Sequence, residues 1–376
     1  MTESIKTIGL RLEPLDVLFF RDGRPFTGSA RNESGLPLPQ TFAGAIRTHL
    51  LQAAHCNFST MGQAINKEGK TFSAAVALSC DKEYHWIGDV AVRGPWLAYQ
   101  EKEIDPLELM VQPPAILVRE KRDRKKLHRL SPLQKGDLPE WNPQDNQKEL
   151  RPLWLKHPER TEAMSNAYLT GRGLKRFLKG EEVCPKCDMV PQDDLFGLDY
   201  RTGIGISPDR LAAEESRIFR IGFLALKKNV FLYAEVDLPD EAPRVLFSEN
   251  EPVSFGGEGR RVVIKQLDKP FEWPKPDVNA KKHLLLLTTP CPFADGWKPT
   301  LLNGCLVSAA VPGSVAFSGW DMARRGPKRT RFAVQAGSVY FLESENNLAL
   351  TQTLAEDDEE GQQGWGCYLK GVWNDE

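Results

Sequence analysis

The sequence predicts an α+β fold of about two domains, and three observations carry that reading. Residues Ile5–Phe20 alternate apolar and polar side chains and are rich in Ile, Leu and Phe, the period-two pattern of a half-buried strand. After a loop rich in Gly, Ser, Asn and Pro at Thr27–Pro39, the side chains Phe42, Ile46, Leu50 and Ala53 recur at helical spacing. The second half is strand-rich, with the apolar segment Ile218–Val236 as its clearest block. A length of 376 residues suits two domains of roughly 100–200 residues each.

Each element follows from local chemistry. The first strand is placed at Thr7–Glu13. RDGRPF (Arg21–Phe26) is a turn, because Asp22-Gly23 favours positive φ and Pro25 reinforces it. The helix is placed at Thr41–Ala54, with Thr41 near its N-cap. Further strands near Ser73–Leu78 and Asp89–Gly94 make this opening compatible with a ferredoxin-like β-α-β start. Pro113–Pro158 is crowded with Pro, Lys, Arg, Asp and Gln and reads as an irregular, partly flexible insertion. Met164–Lys179 has helical spacing, and Glu181–Pro191 is a turn-rich link. Ile218–Val236 divides into two strands at Lys227–Asn229, and His283–Pro290 and Arg331–Leu342 are further strands. The acidic run Glu356–Glu360 reads as a solvated loop.

Composition narrows the classes. Hydrophobic residues at 41% and charged residues at 27% are globular proportions. No apolar run approaches the ~18 residues of a membrane span, and the N-terminus lacks the features of a signal peptide. The seven cysteines are scattered, which with no export signal reads as reduced thiols in a cytoplasmic protein. A net charge of −2 argues against a broadly basic nucleic-acid surface but leaves room for local patches.

The strongest candidate site is Phe255-Gly256-Gly257-Glu258-Gly259-Arg260-Arg261. Its glycines permit positive φ and close approach, backbone amides can cradle phosphate oxygens, and paired arginines supply forked donors. A tight hairpin with a glycine bulge explains the same spacing. Arg21 and Arg24 flank the Asp22-Gly23 turn and serve either RNA or an internal pair with Asp22. Three basic clusters follow: Arg119, Lys121, Arg122, Arg124, Lys125, Lys126 and Arg129; then Arg172, Lys175, Arg176 and Lys179; then Arg324, Arg325, Lys328, Arg329 and Arg331. Each neutralises phosphates or is simply a solvated face. Trp86, Trp96, Trp141 and Trp154 near them could stack on bases, although core packing is the commoner use. Cys184-Pro185-Lys186-Cys187 lacks a second CxxC to complete a zinc ribbon. The six histidines sit in no catalytic or metal motif, and Asp193-Asp194 and Asp237/Asp240 read as turn residues. No catalytic residue, cofactor or metal is expected.

LEPLDVLFFRDGRPF (Leu12–Phe26) and LPLPQTFAGAIRTHL (Leu36–Leu50) resemble the third subunits of the Cmr complex, RAMP proteins of type III-B CRISPR systems. SFGGEGRRV (Ser254–Val262) is similar to the glycine-rich loop of RAMP proteins, and RFAVQAGSVYFL (Arg331–Leu342) and GWGCYLKGVW (Gly364–Trp373) to that subunit's C-terminal end. The resemblance implies two ferredoxin-like (RRM-like) domains, at 1–215 with an insertion at 113–191 and at 216–376 with the glycine loop 255–261. It implies a non-catalytic subunit holding the 5′ tag of the guide RNA, beside the large polymerase-like subunit and a backbone RAMP subunit. By motif, Arg21, Arg24, Gly256, Gly257, Gly259, Arg260 and Arg261 become the candidate RNA or neighbour contacts, and the basic insertion a candidate wedge where tag meets guide. Guide-processing RAMP nucleases carry an early catalytic histidine, which the loop Arg21–Gln40 lacks. A nuclease would have to use His49, His85 or Tyr84. A scaffold without RNA contact is the third reading.

Overall fold

The computed structural model describes residues 5–21, 32–123, 125–134, 137, 150–207, 209–210, 212–240, 242, 251–279, 281–321, 326–344 and 352–373. The chain is a mixture of helices and strands arranged in two compact units, each discontinuous in sequence. The first is built from residues 1–95, 195–270 and 316–332, the second from 96–194, 271–315 and 333–376. Residues 215 and 216 fall inside the strand Ala213–Leu226.

In the first unit, the opening strand runs over Ile5–Pro14 as the alternation predicts, with Ile8, Leu10 and Leu12 buried. It pairs antiparallel with Val230–Pro239 (Leu12 opposite Leu232) and with Arg261–Gln266 (Leu12 opposite Ile264). The strand Ala91–Tyr99 flanks Val230–Pro239 on its other edge. Its Arg93 binds Asp237 through both terminal nitrogens at 2.6 and 2.8 Å and Glu235 through Nε at 3.0 Å. Asp237 is therefore a strand residue committed to an ion pair, not a turn residue. The helix α1 (Pro39–Ala53) has Pro39 in its first turn and Leu38 as N-cap, so Thr41 lies inside the helix. The hairpin Phe196–Ile206/Ala213–Leu226 exposes Ile204, Ile206 and Ile218.

Two expectations fail in the helical segment. Ser73–Leu78 is not a strand but most of helix α3 (Phe72–Ser79), which follows α2 (Phe58–Asn66). The Thr71 hydroxyl accepts from the Ala74 amide and starts the helix, and an alanine-rich run with a single β-branched residue favours it. The seven cysteines are not all free thiols, since Cys56 and Cys80 form a disulfide. Cys56 follows α1 and Cys80 caps α3, and the reversal of chain between α2 and α3 brings the ends of this segment together.

The second unit contains a four-stranded antiparallel sheet ordered Leu306–Ala310, Val339–Glu343, Lys282–Leu287, Tyr368–Val372. Leu284–Leu287 and Val339–Leu342 are buried throughout, so the sheet is a core element with the continuous apolar runs of a doubly covered layer. Arg331–Leu342 is two strands, broken where Gly337 takes φ +88° against the Pro113 carbonyl. The middle of the chain is more regular than its composition suggests. Leu117–Glu120 pairs with Leu127–Arg129 and Thr161–Ala163, and Ala167–Thr170 pairs with Glu108–Val111 and Met189–Pro191. Met164–Lys179 is half strand and half helix, α4 spanning Gly171–Leu178 with Leu174, Phe177 and Leu178 buried. Glu356 leaves the expected solvated loop by accepting from the amides of Ala294 and Thr300 at 2.6 and 2.8 Å. No helix among the described residues is long and apolar enough to cross a membrane.

Candidate nucleic-acid interface

The glycine loop is a hairpin. Val253–Ser254 pairs with Arg261–Gln266, and the Phe255 amide donates to the Arg260 carbonyl at 2.8 Å. Glu258 and Gly259 sit at the tip with φ +56° and +64°, and the Arg260 amide donates back to the Gly257 carbonyl. Positive φ at both central residues is what a type I′ turn requires.

Each glycine has its own task. Gly256 has φ +87°, and a Cβ there would lie 2.5 Å from the Phe19 carbonyl oxygen and 2.9 Å from the Phe20 ring. The Gly257 amide donates to that carbonyl at 2.8 Å. The loop is thus seated on Phe19–Phe20, and the Phe20 ring packs edge-on against buried Phe255 at 5.2 Å. Gly256 and Gly257 meet this chain's own backbone, while Gly259 has open space around it. The amides of Gly256, Glu258 and Gly259 make no hydrogen bond to any described residue.

The arginines of the site differ in freedom. Arg260 is 20% exposed, stacks on the Phe223 ring at 4.4 Å and bonds Asp16 at 3.1 Å. Arg201 reaches Asp16 at 3.2 Å and Asp199 at 2.9 Å and lies over the same ring. Burial works against the Asp16 carboxylate, but the Val17 amide and the two guanidiniums outweigh it and hold the group below its ordinary range. Arg261 is exposed and donates to the Pro252 carbonyl at 2.6 Å. Arg21, directly after Phe20, is also exposed. Arg24 lies outside the described residues. The structure therefore gathers Arg21, Gly256, Gly257, Gly259, Arg260 and Arg261 around one seat. It adds Asp16, Arg201 and Phe223, which the sequence reading missed. The signal available for them was the alternation Asp199-Tyr200-Arg201 along a strand.

The basic clusters fare otherwise. Arg119 pairs with Glu162 at 2.7 Å. Arg172 and Arg176 both reach Asp188, at 2.9 and 3.4 Å, and that carboxylate is 0% exposed. Burial pushes Arg129 down to about 10; it stacks on Phe177 and donates to the carbonyls of Phe177 and Val372. Lys121, Lys125 and Lys126 stay exposed, as do Lys328, Arg329 and Arg331, while Arg124, Arg324 and Arg325 lie outside the described residues. Trp96 is a core residue, its Nε1 donating to the Thr288 carbonyl and its ring against Trp273 at 4.7 Å.

Among curated proteins none matches this chain. A chain of the type III-B Cmr-beta complex bound to cognate target RNA aligns with a TM-score of 0.47 and 16% identity, covering 89% of this chain and 86% of its own. A chain of the Csm3-Csm4 subcomplex of the type III-A CRISPR-Cas interference complex aligns with a TM-score of 0.40 and 11% identity, covering 98% and 99%. The sequence matches the CRISPR-associated protein (Cas_Cmr3) family over residues 10–373, a span that holds the opening strand, the Phe19–Phe20 seat and the glycine hairpin. By that match, the chain belongs to the Cas_Cmr3 family and is a subunit of a type III CRISPR effector complex.

Proposed function

We propose that this subunit is a non-catalytic RNA-binding protein that holds the 5′ tag of the guide RNA. In the same reading it bridges the large polymerase-like subunit to the backbone RAMP subunit. The observation that carries the proposal is the glycine hairpin on its Phe19–Phe20 seat. Exposed Arg21 follows that seat directly and exposed Arg261 follows the hairpin turn, whose Gly256, Glu258 and Gly259 amides have no partner among the described residues. Turn amides and forked guanidiniums are the donors that take phosphodiester oxygens. Arg201 and Arg260 add a second tier, since the acids that hold them, Asp199 and Asp16, are 42% and 55% exposed. Exposed ion pairs are worth little and exchange partners readily. No step of this requires chemistry on the RNA.

The same reading takes each unit as a ferredoxin-like domain. In the first, the sheet order Ala91–Tyr99, Val230–Pro239, Ile5–Pro14, Arg261–Gln266 is second-third-first-fourth in chain order, as a β-α-β-β-α-β module demands.

The test is binding of an RNA carrying the repeat-derived 5′ tag against a scrambled RNA over a salt series. Wild type is run beside Arg261→Ala and Arg260→Ala/Arg261→Ala, each in complex with the large subunit. Tag preference, a salt-dependent affinity that weakens in both variants, and intact RNA afterwards are the expected result. Affinity indifferent to tag and substitution points to a scaffold, and cleaved RNA to a nuclease.

A further inference from the structure

A cluster far in character from the hairpin lies in the second unit. Glu120 ends the strand Leu117–Glu120, and His128 stands on the neighbouring strand opposite Val118, diagonal to it. His157 comes from the segment leading into Thr161–Ala163, the partner on the other edge. His128 Nε2 is 2.9 Å and His157 Nε2 3.1 Å from one and the same oxygen, Glu120 Oε1. The imidazole rings lie 4.1 Å apart, tilted by 39°, so their nitrogen edges converge from one side.

Hydrogen bonding does not account for this convergence. The Glu120 carboxylate is buried, and His128 satisfies its Oε1. His157 Nε2 is buried and, despite its 3.1 Å approach, makes no hydrogen bond. A lone pair or N–H of an imidazole is thus aimed into the cluster with nothing to receive it. The three ligand atoms all lie within 4.8 Å of one another. Donors held about 2.0–2.1 Å from a tetrahedral zinc stand roughly 3.3–3.5 Å apart, so a small outward shift of the two imidazoles from Glu120 Oε1 would open the site to that geometry.

We propose that Glu120, His128 and His157 bind a divalent transition metal of the zinc class, fastening three adjacent chain segments at one end of this small sheet. Two imidazoles and one carboxylate suit zinc and its neighbours, not magnesium or calcium, which take oxygen shells. Lys126 is close enough to act on the Glu120 carboxylate, so coordination by the three donors has to outweigh its charge. Three protein ligands leave one tetrahedral position for water. Cys184 and Cys187 join no such group among the described residues.

The full chain, stripped with a chelator and dialysed against zinc, is expected to retain one zinc per chain by elemental analysis. His128→Gln/His157→Gln is expected to lose it, and Cys184→Ser/Cys187→Ser to keep it. Because the histidine variant is also able to fail by misfolding, the wild type loaded with cobalt(II) decides independently. Intense visible d–d bands without thiolate charge-transfer absorption support the site. No stoichiometric metal in the wild type, zinc lost with the cysteines alone, or a thiolate cobalt spectrum overturns it.

Discussion

The glycine hairpin and the Arg172–Arg176 face of α4 carry arginines at similar density, and they use them in opposite ways. On α4 two guanidiniums converge on Asp188, a carboxylate with no exposure, which also accepts from the Cys184 amide at 2.9 Å. Those charges are committed to holding α4 against the segment that follows it. At the hairpin the acids stand in water, and among the described residues Arg261 donates to a carbonyl and reaches no carboxylate. The lesson is that the exposure of the partner acid, not the number of arginines, separates a structural cluster from a surface that can exchange its partners for phosphate.

The strongest blow to the hairpin side is Gly256→Ala. Positive φ costs a residue with a Cβ roughly 1–2 kcal/mol, and the added atom would meet the Phe19 carbonyl at 2.5 Å, so a loss of at least about 2 kcal/mol is expected in urea unfolding. Gly259→Ala has open space and is expected to lose only about 1 kcal/mol; equal losses at the two positions would dissolve the distinction between seat and tip.

On the α4 side, Asp188→Asn removes charge-assisted bonds to two arginines and an amide, with an expected loss of about 2–3 kcal/mol and unchanged affinity for tag RNA. Weakened RNA binding in a variant that still folds would place this cluster on the RNA after all. Arg261→Ala reverses the pattern, with stability within about 0.5 kcal/mol of wild type and the slope of log affinity against log salt shallower by about 1.

The smallest effect is the pH response of Asp16. Its carboxyl is held below the ordinary 3.8 in the folded state, so its contribution is present above that value and is lost as pH falls through the lower folded value. Asp16→Asn is expected to flatten that part of the acid-unfolding curve, with a slightly lower stability but an unchanged slope above pH about 5.

What the sequence disclosed follows the range of the forces involved. The opening strand was legible because alternation is local, and the break at Lys227–Asn229 because a turn with Asn229 at φ +65° needs a permissive residue. Ser73–Leu78 was misread because a six-residue apolar run fits either period, and the deciding cap, Thr71, lies outside it. The hairpin glycines were legible as conformational needs, but not that their close neighbour is the chain's own Phe19 carbonyl. The fate of the basic clusters was not legible, because Glu162 lies 43 residues from Arg119 and Asp188 lies 16 from Arg172.

The pairing of the opening strand has a consequence for synthesis. Ile5–Pro14 takes its two neighbours from Val230–Pro239 and Arg261–Gln266, so neither edge closes until most of the chain has left the ribosome. At roughly 5–20 residues per second, the first ten-residue strand waits about 12–50 s with both ladders open, the condition in which β edges recruit wrong partners. Stalled nascent chains ending before residue 230 are expected to leave Ile5–Pro14 open to protease, and those reaching past residue 270 to protect it. The same wait applies to the glycine hairpin's seat, so the RNA-facing surface proposed around Phe19–Phe20 is finished only once Arg261–Gln266 has emerged.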